Sequence, residues 1–267
     1  MKNFEMTRFA NFFKWHLVTH KSEIIRQTGY ATIGMFLLIR MANMGVYSSD
    51  SLLEVPIHLG FVIMIIAFAM CIAAASIFKD MNKKGGFINV SMSPASVSEK
   101  YLTLIIYSTV LPFLLLIFSY FIAEILNVLL FVIEGNSVQH IFIDDLLEMI
   151  FVKPFTEHAI DGIPFAIFQL SIYILGGSIF RKMPFLSTSA VILAFMIFVL
   201  PLFLQVFLNN MVDMDAWEQF FENAEECIPV LSWGITIVSL LLAALNIFIS
   251  YRIYRRMQVI NNKWINL

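Results

Sequence analysis

The hydrophobic pattern of the chain is six continuous apolar runs, at residues 31–47, 56–78, 101–133, 163–180, 189–208 and 229–251. A helix needs about 20 apolar residues to cross a hydrocarbon core of about 30 Å. Each run reaches or approaches that length. The third is too long for one perpendicular crossing, so it either tilts or projects beyond the membrane. None of the runs alternates apolar and polar residues in segments of about ten, as strands of a membrane barrel do. In lipid every backbone N–H and C=O must be satisfied internally, so such runs are helical. The predicted fold is all-α: six transmembrane helices in a single domain spanning 1–267.

The polar segments between the runs carry the orientation. Residues 1–30 hold Lys2, Arg8, Lys14, Lys21 and Arg26, and the second connection holds Lys79, Lys83, Lys84 and Lys100. The fourth holds Arg181 and Lys182, and the tail, 252–267, holds Arg252, Arg255, Arg256 and Lys263. All of these fall on one side of a six-span arrangement, and Lys153 alone falls on the other. Basic residues mark the cytoplasmic side, so both termini are expected in the cytoplasm. Within residues 1–30, Phe9, Phe12, Phe13, Leu17 and Ile24 recur near helical spacing with Lys14, Lys21 and Arg26 between them. That pattern predicts an amphipathic helix in the membrane interface leading into the first span. The same segment lacks the uninterrupted apolar core and cleavage site of a signal peptide, and is expected to be part of the mature protein.

Local chemistry refines the connections. After Gly85-Gly86, residues 93–100 read as a helix start: Ser93 can cap, Pro94 suits the first helical position and Glu99 complements the dipole. The outer segment 134–161 has an apolar interior and is expected to contain a surface helix. The outer segment 209–228 places Trp217, Phe220, Phe221 and Ala224 on one helical face. It carries Asp213, Asp215, Glu218, Glu222, Glu225 and Glu226, with no Lys or Arg. Pro112 and Pro201 can kink the third and fifth spans.

Composition agrees with a lipid environment. Of 267 residues, 60% are hydrophobic and 13% charged, with 27 Phe, against about 25% charged in a soluble domain. A net charge of −2 with no basic stripe excludes a nucleic-acid binder. Cys71 and Cys227 form no CxxC or Cys/His spacing, which excludes a disulfide framework or zinc ribbon.

Few residues carry candidate chemistry. Arg40 lies near the middle of the first run, where a charge costs about 2.5–3.5 kcal/mol on insertion scales, so it is expected to face protein or a water-filled path. Glu124 lies in the third run. Counted at 1.5 Å per residue from Tyr101, it falls near the outer interface. His16 and His20 have the i,i+4 spacing of a chelating pair, but no acid near them in sequence completes a set, and no metal is expected. The chain has no phosphate loop, GxSxG elbow, HExxH motif or TVGYG-like filter, so no catalytic residue and no cofactor are expected on it.

This organisation resembles the permease subunits of ABC-2 type exporters, which share the basic amphipathic N-terminal helix, six spans with both termini inside, and a cytoplasmic helix between spans two and three. Residues 92–102, MSPASVSEKYL, resemble the "LPxSxxEkyl" segment found at that place in many bacterial permeases. The acidic segment 209–228 departs from the family, whose members often dip apolar helices back into the membrane there. The resemblance implies a bacterial inner-membrane exporter subunit paired with a second permease. A separate ABC ATP-binding subunit would hold ATP and Mg. Phe13, Lys14, Ser93, Pro94, Ser96, Glu99 and Lys100 would then be the coupling residues. Arg40 and Glu124 are read from their place in the apolar runs as either substrate-path residues or structural charges. The alternatives are a secondary carrier or other transport subunit, and a membrane-embedded enzyme or assembly factor.

Overall fold

The computed structural model describes residues 4–46, 55–81, 90, 92–134, 162–210 and 224–256. Among these the chain is all-helical and falls into two compact units, Met1–Lys153 and Pro154–Leu267.

The first unit contains α1 (Met6–Thr19), α2 (Lys21–Val46), α3 (Val55–Ala75), α4 (Val97–Ser108) and α5 (Val110–Ile133). The expected amphipathic helix of residues 1–30 is divided. α1 stops at Thr19, whose hydroxyl bonds back to the Trp15 carbonyl. α2 then runs from Lys21 into the first apolar run as far as Val46.

α2 and α5 pack side by side, with α1 against α4 at their N-terminal ends. A constant sequence offset sets the register. The Ser119 hydroxyl donates to the Thr28 carbonyl and the Asn127 amide to the Phe36 carbonyl, both across 91 residues. The Arg40 guanidinium lies over the Phe131 ring and the His16 ring meets that of Tyr107, at the same offset. Partners that ascend together define parallel helices. α3 returns in the opposite sense: Lys79 and Asp80, just past its end, reach Glu23 and His20 at the start of α2. The three long helices therefore run up, down and up.

The long third run is helical from Val97 to Ile133 but jointed at Thr109, the C-cap of α4 and the N-cap of α5. Pro112 explains the joint, because it lacks an N–H to offer the Ser108 carbonyl and its ring crowds that position. Thr109 bonds its hydroxyl to the Ile105 carbonyl at 2.7 Å, closing the last turn of α4.

The second unit contains α6 (Gly162–Ile179), α7 (Pro184–Asn210) and α8 (Ala224–Arg256). α6 and α7 form an antiparallel hairpin. Met183, in the turn between them, has φ of 49°, a left-handed conformation uncommon outside glycine. Tyr173 stacks on Phe185 and its hydroxyl lies 3.1 Å from that of Ser189. Gly176 lies so close to Thr188 that a Cβ there would be 1.9 Å from the threonine hydroxyl, so the two backbones approach where only glycine fits. α8 packs along α6, and Asn246 donates to the Ser171 hydroxyl.

Among the described residues three helical stretches are long and apolar enough to cross a membrane: Val97–Ile133, Pro184–Leu202 and Trp233–Arg256. Val62–Ala75 and Ile163–Ile179 are shorter apolar helices within the described residues. α2 has the length, but Lys21, Glu23, Arg26 and Arg40 dilute its apolar character. Leu193, Phe195, Met196, Ile197 and Phe198 on α7 all face outward, an apolar surface far beyond what a water-soluble monomer exposes. The expected surface helices of 134–161 and 209–228 lie outside the described residues, apart from Glu134, the end of α7 at 209–210 and the start of α8 at Ala224. Lys153 and the tail beyond Arg256 lie outside them too.

Candidate functional site

Polar chemistry in the first unit concentrates at three levels along the α1–α2 and α4–α5 pair. The lowest is the start of α4. Ser96, rather than Ser93, is its N-cap: the Ser96 hydroxyl accepts from the Glu99 N–H at 3.3 Å, and the Glu99 carboxylate accepts from the Ser96 N–H at 2.7 Å. This is a complete capping box. Ser93 is engaged elsewhere, donating its hydroxyl to the Val90 carbonyl, so Ser93 and Pro94 shape the bend before α4 and do not begin it. The S-x-x-E spacing of Ser96 and Glu99 carried this signal in the sequence, and the competing Ser93-Pro94 pair obscured it.

Glu99 also reaches across to α1. Its other oxygen accepts from the Glu5 N–H at 2.8 Å and from Arg8 at 3.2 Å. Glu5 is itself the N-cap of α1. One carboxylate, with no exposed surface, therefore closes the N-termini of two helices, and both dipoles favour its negative charge. Lys100 beside it is buried, Phe13 is half-buried, and Lys14 and Pro94 are exposed. The residues singled out in the sequence thus divide: Ser96 and Glu99 hold the junction, while Lys14 and Pro94 present outward. Arg8 and Glu5 were missed, since nothing in the sequence announces a partner more than ninety residues away.

The middle level surrounds His16. Its ring is buried among Phe12, Trp15, His20 and Tyr107, meeting Tyr107 edge-on at 4.5 Å. Neither ring nitrogen has a hydrogen-bond partner. Burial and the neighbouring His20, only partly offset by Asp80, lower its pKa to about 4, so the ring is neutral at pH 7. His20 Nε2 lies 3.0 Å from Asp80 Oδ2. The sequence offered no acid near this pair; the return of α3 supplies one.

The upper level joins α2 to α5. Asn127 donates to the Phe36 carbonyl at 3.3 Å and to Ala123 on its own helix at 3.0 Å. Arg40 pairs with Glu134 and lies 5.0 Å over the Phe131 ring. Glu134 sits just past the end of α5, so Arg40 is level with that helix end. Glu124 is buried on the face of α5 that also carries Tyr120 and Asn127, and lies about 14 Å along the helix from Ile133.

Among the described residues the chain is all-helical, with three helices long and apolar enough to cross a membrane, consistent with a membrane protein. No protein family, curated protein or solved structure matches the chain.

Proposed function

We propose that this chain is the membrane-spanning permease subunit of an ABC-2 type exporter in a bacterial inner membrane. It has six spans with both termini inside, is paired with a second permease subunit, and is driven by a separate ATP-binding subunit that holds ATP and Mg. The observation that carries the reading is the Glu99 junction. A permease needs an element on its inner face that receives the stroke of the ATPase and passes it to the spans. α1 and α4 are tied by one buried carboxylate, so they move as one body. Each leads directly into a long helix, α2 or α5. Force applied to the outward-facing Lys14 and Pro94 reaches both of those helices. The up, down, up order of α2, α3 and α5 is the order that the alternating basic connections require, and it supports inner placement of α1 and α4.

The test is affinity purification of the full chain from native membranes in mild detergent, with mass spectrometry of the proteins retained. A stoichiometric ABC ATPase is expected, and Lys14→Glu on the exposed face of α1 is expected to release it while the chain remains inserted and monodisperse. Recovery of the chain without any ATPase across several mild detergents would reject the reading in favour of a carrier or membrane enzyme.

A further inference from the structure

We propose that His16, His20 and Asp80 form a binding site for a first-row divalent transition-metal cation, of which Zn²⁺ is the natural probe, and that the metal ties the end of α1 to the turn after α3. The inference is independent of the permease reading.

The donor set comes together by folding alone. His16 and His20 lie one helical turn apart on the same face, with ring centroids 4.4 Å apart. Asp80 arrives from the far end of α3. One ligand atom from each residue lies within 4.8 Å of the others. A metal with bonds of about 2.0–2.2 Å holds its ligands about 3.3 Å apart, so small side-chain rotations close the set. Two imidazoles and a carboxylate suit zinc and its transition-metal neighbours, not calcium or magnesium, which take oxygen ligands.

Hydrogen bonding at His20 points the same way. Its Nδ1 lies 2.9 Å from the His16 carbonyl. A carbonyl can only accept, so Nδ1 carries a proton and donates it. This is the arrangement that fixes a metal-ligating histidine with the other nitrogen presented outward. That other nitrogen, Nε2, faces the Asp80 carboxylate at 3.0 Å. A lone pair opposed to a carboxylate requires a positive species between them, either a proton on the imidazole or a metal ion. A proton satisfies His20 and Asp80 only, and leaves both nitrogens of His16 buried without a partner, which is unfavourable for a buried polar group. A metal engages His20, Asp80 and one of the two His16 nitrogens. The Tyr107 ring, edge-on to His16, walls the site from the α4 side, and three protein ligands leave a coordination position for water.

The full chain, carrying a histidine-free affinity tag, is stripped with EDTA in detergent, equilibrated with Zn²⁺ and read by elemental mass spectrometry and by competition with a chromophoric chelator. One Zn²⁺ per chain is expected, with absorption bands of nitrogen- and oxygen-ligated Co²⁺ on substitution. His20→Gln and Asp80→Asn, at partly exposed positions, should each weaken binding by at least about tenfold to a hundredfold while the elution profile and helicity are unchanged. His16→Phe should do the same, and if it fails to fold the other two variants decide. Absence of stoichiometric Zn²⁺, or binding that is equal in wild type, His20→Gln and Asp80→Asn, would overturn the site and leave an imidazolium–carboxylate pair in its place.

Discussion

In the first unit helices meet through charged and amide side chains: Glu99 with Arg8 and two backbone N–H groups, Asn127 with Phe36, Arg40 with Glu134. In the second they meet through small residues, hydroxyls and the Asn246 amide: Gly176 against Thr188, Ser171 with Asn246, Tyr173 with Ser189. Both are solutions to one physical problem. Between helices whose outer faces are apolar, the hydrophobic effect gives little reason to associate, so close backbone approach and interhelical hydrogen bonds must hold the contact. Smallness permits close contact but leaves no chemical handle. Charge supplies a handle and a direction, because a buried ion pair tolerates few geometries. The unit joined by charge is therefore the one suited to transmit movement or bind a cation, and the unit joined by small residues is suited to serve as a scaffold.

That contrast can be broken by substitution. The largest effect is expected at Glu99. Removing its carboxylate in Glu99→Ala strands the Glu5 and Ser96 N–H groups and takes one partner from Arg8, which keeps the Glu5 carboxylate. Glu99 is covered by its immediate neighbours rather than deeply embedded, so a loss of about 3 kcal/mol is expected from the cap and the unmet donors. The readout is SDS-induced unfolding in mixed micelles. A loss under about 1 kcal/mol would show that the junction does not hold the two helices.

The matching test in the second unit is Gly176→Val, which drives side-chain atoms into Thr188. Overpacking of this kind costs about 1–3 kcal/mol. Here the contrast sharpens, because Gly176→Val combined with Thr188→Ala should recover a substantial part of the loss by vacating the same space. The corresponding pair in the first unit, Glu99→Ala with Arg8→Ala, should not recover the backbone donors at all. Equal recovery in both pairs, measured by the same unfolding assay, would erase the distinction.

The smallest effect is expected at Asn127. In Asn127→Leu the bond to Phe36 is lost and apolar contact between α2 and α5 is retained. Interhelical hydrogen bonds in membranes contribute on average about 0.6 kcal/mol and at most about 1.7, so a loss near about 1 kcal/mol is expected. A change above about 3 kcal/mol would mark Asn127 as essential to the bundle, and none at all would mean that packing alone sets the register.

The places where sequence reading succeeded and failed follow one rule. Within the described residues each of the six apolar runs is mainly helical, because a continuous apolar run has one way to satisfy its backbone away from water. The capping box at Ser96 was legible in its spacing. Arg40 and Glu124 stand out in the sequence as charges within apolar runs, but the pairing of Arg40 with Glu134 and the burial of Glu124 on the face of α5 that carries Tyr120 and Asn127 are not legible there. The pairings Glu99 with Glu5, and Asp80 with His20, were not legible at all, since each joins residues far apart in sequence with no shared pattern.

By itself, then, the sequence determined the helical class, the approximate extent of each helix and the segregation of basic residues into alternate connections. Those properties follow from local periodicity and from the solvent that a run of apolar side chains requires. Only the tertiary structure decided the parallel register of α2 and α5, the double cap at Glu99 and the meeting of His16, His20 and Asp80. These depend on where a returning helix places its end, and that is a property of packing between helices which no stretch of local sequence encodes.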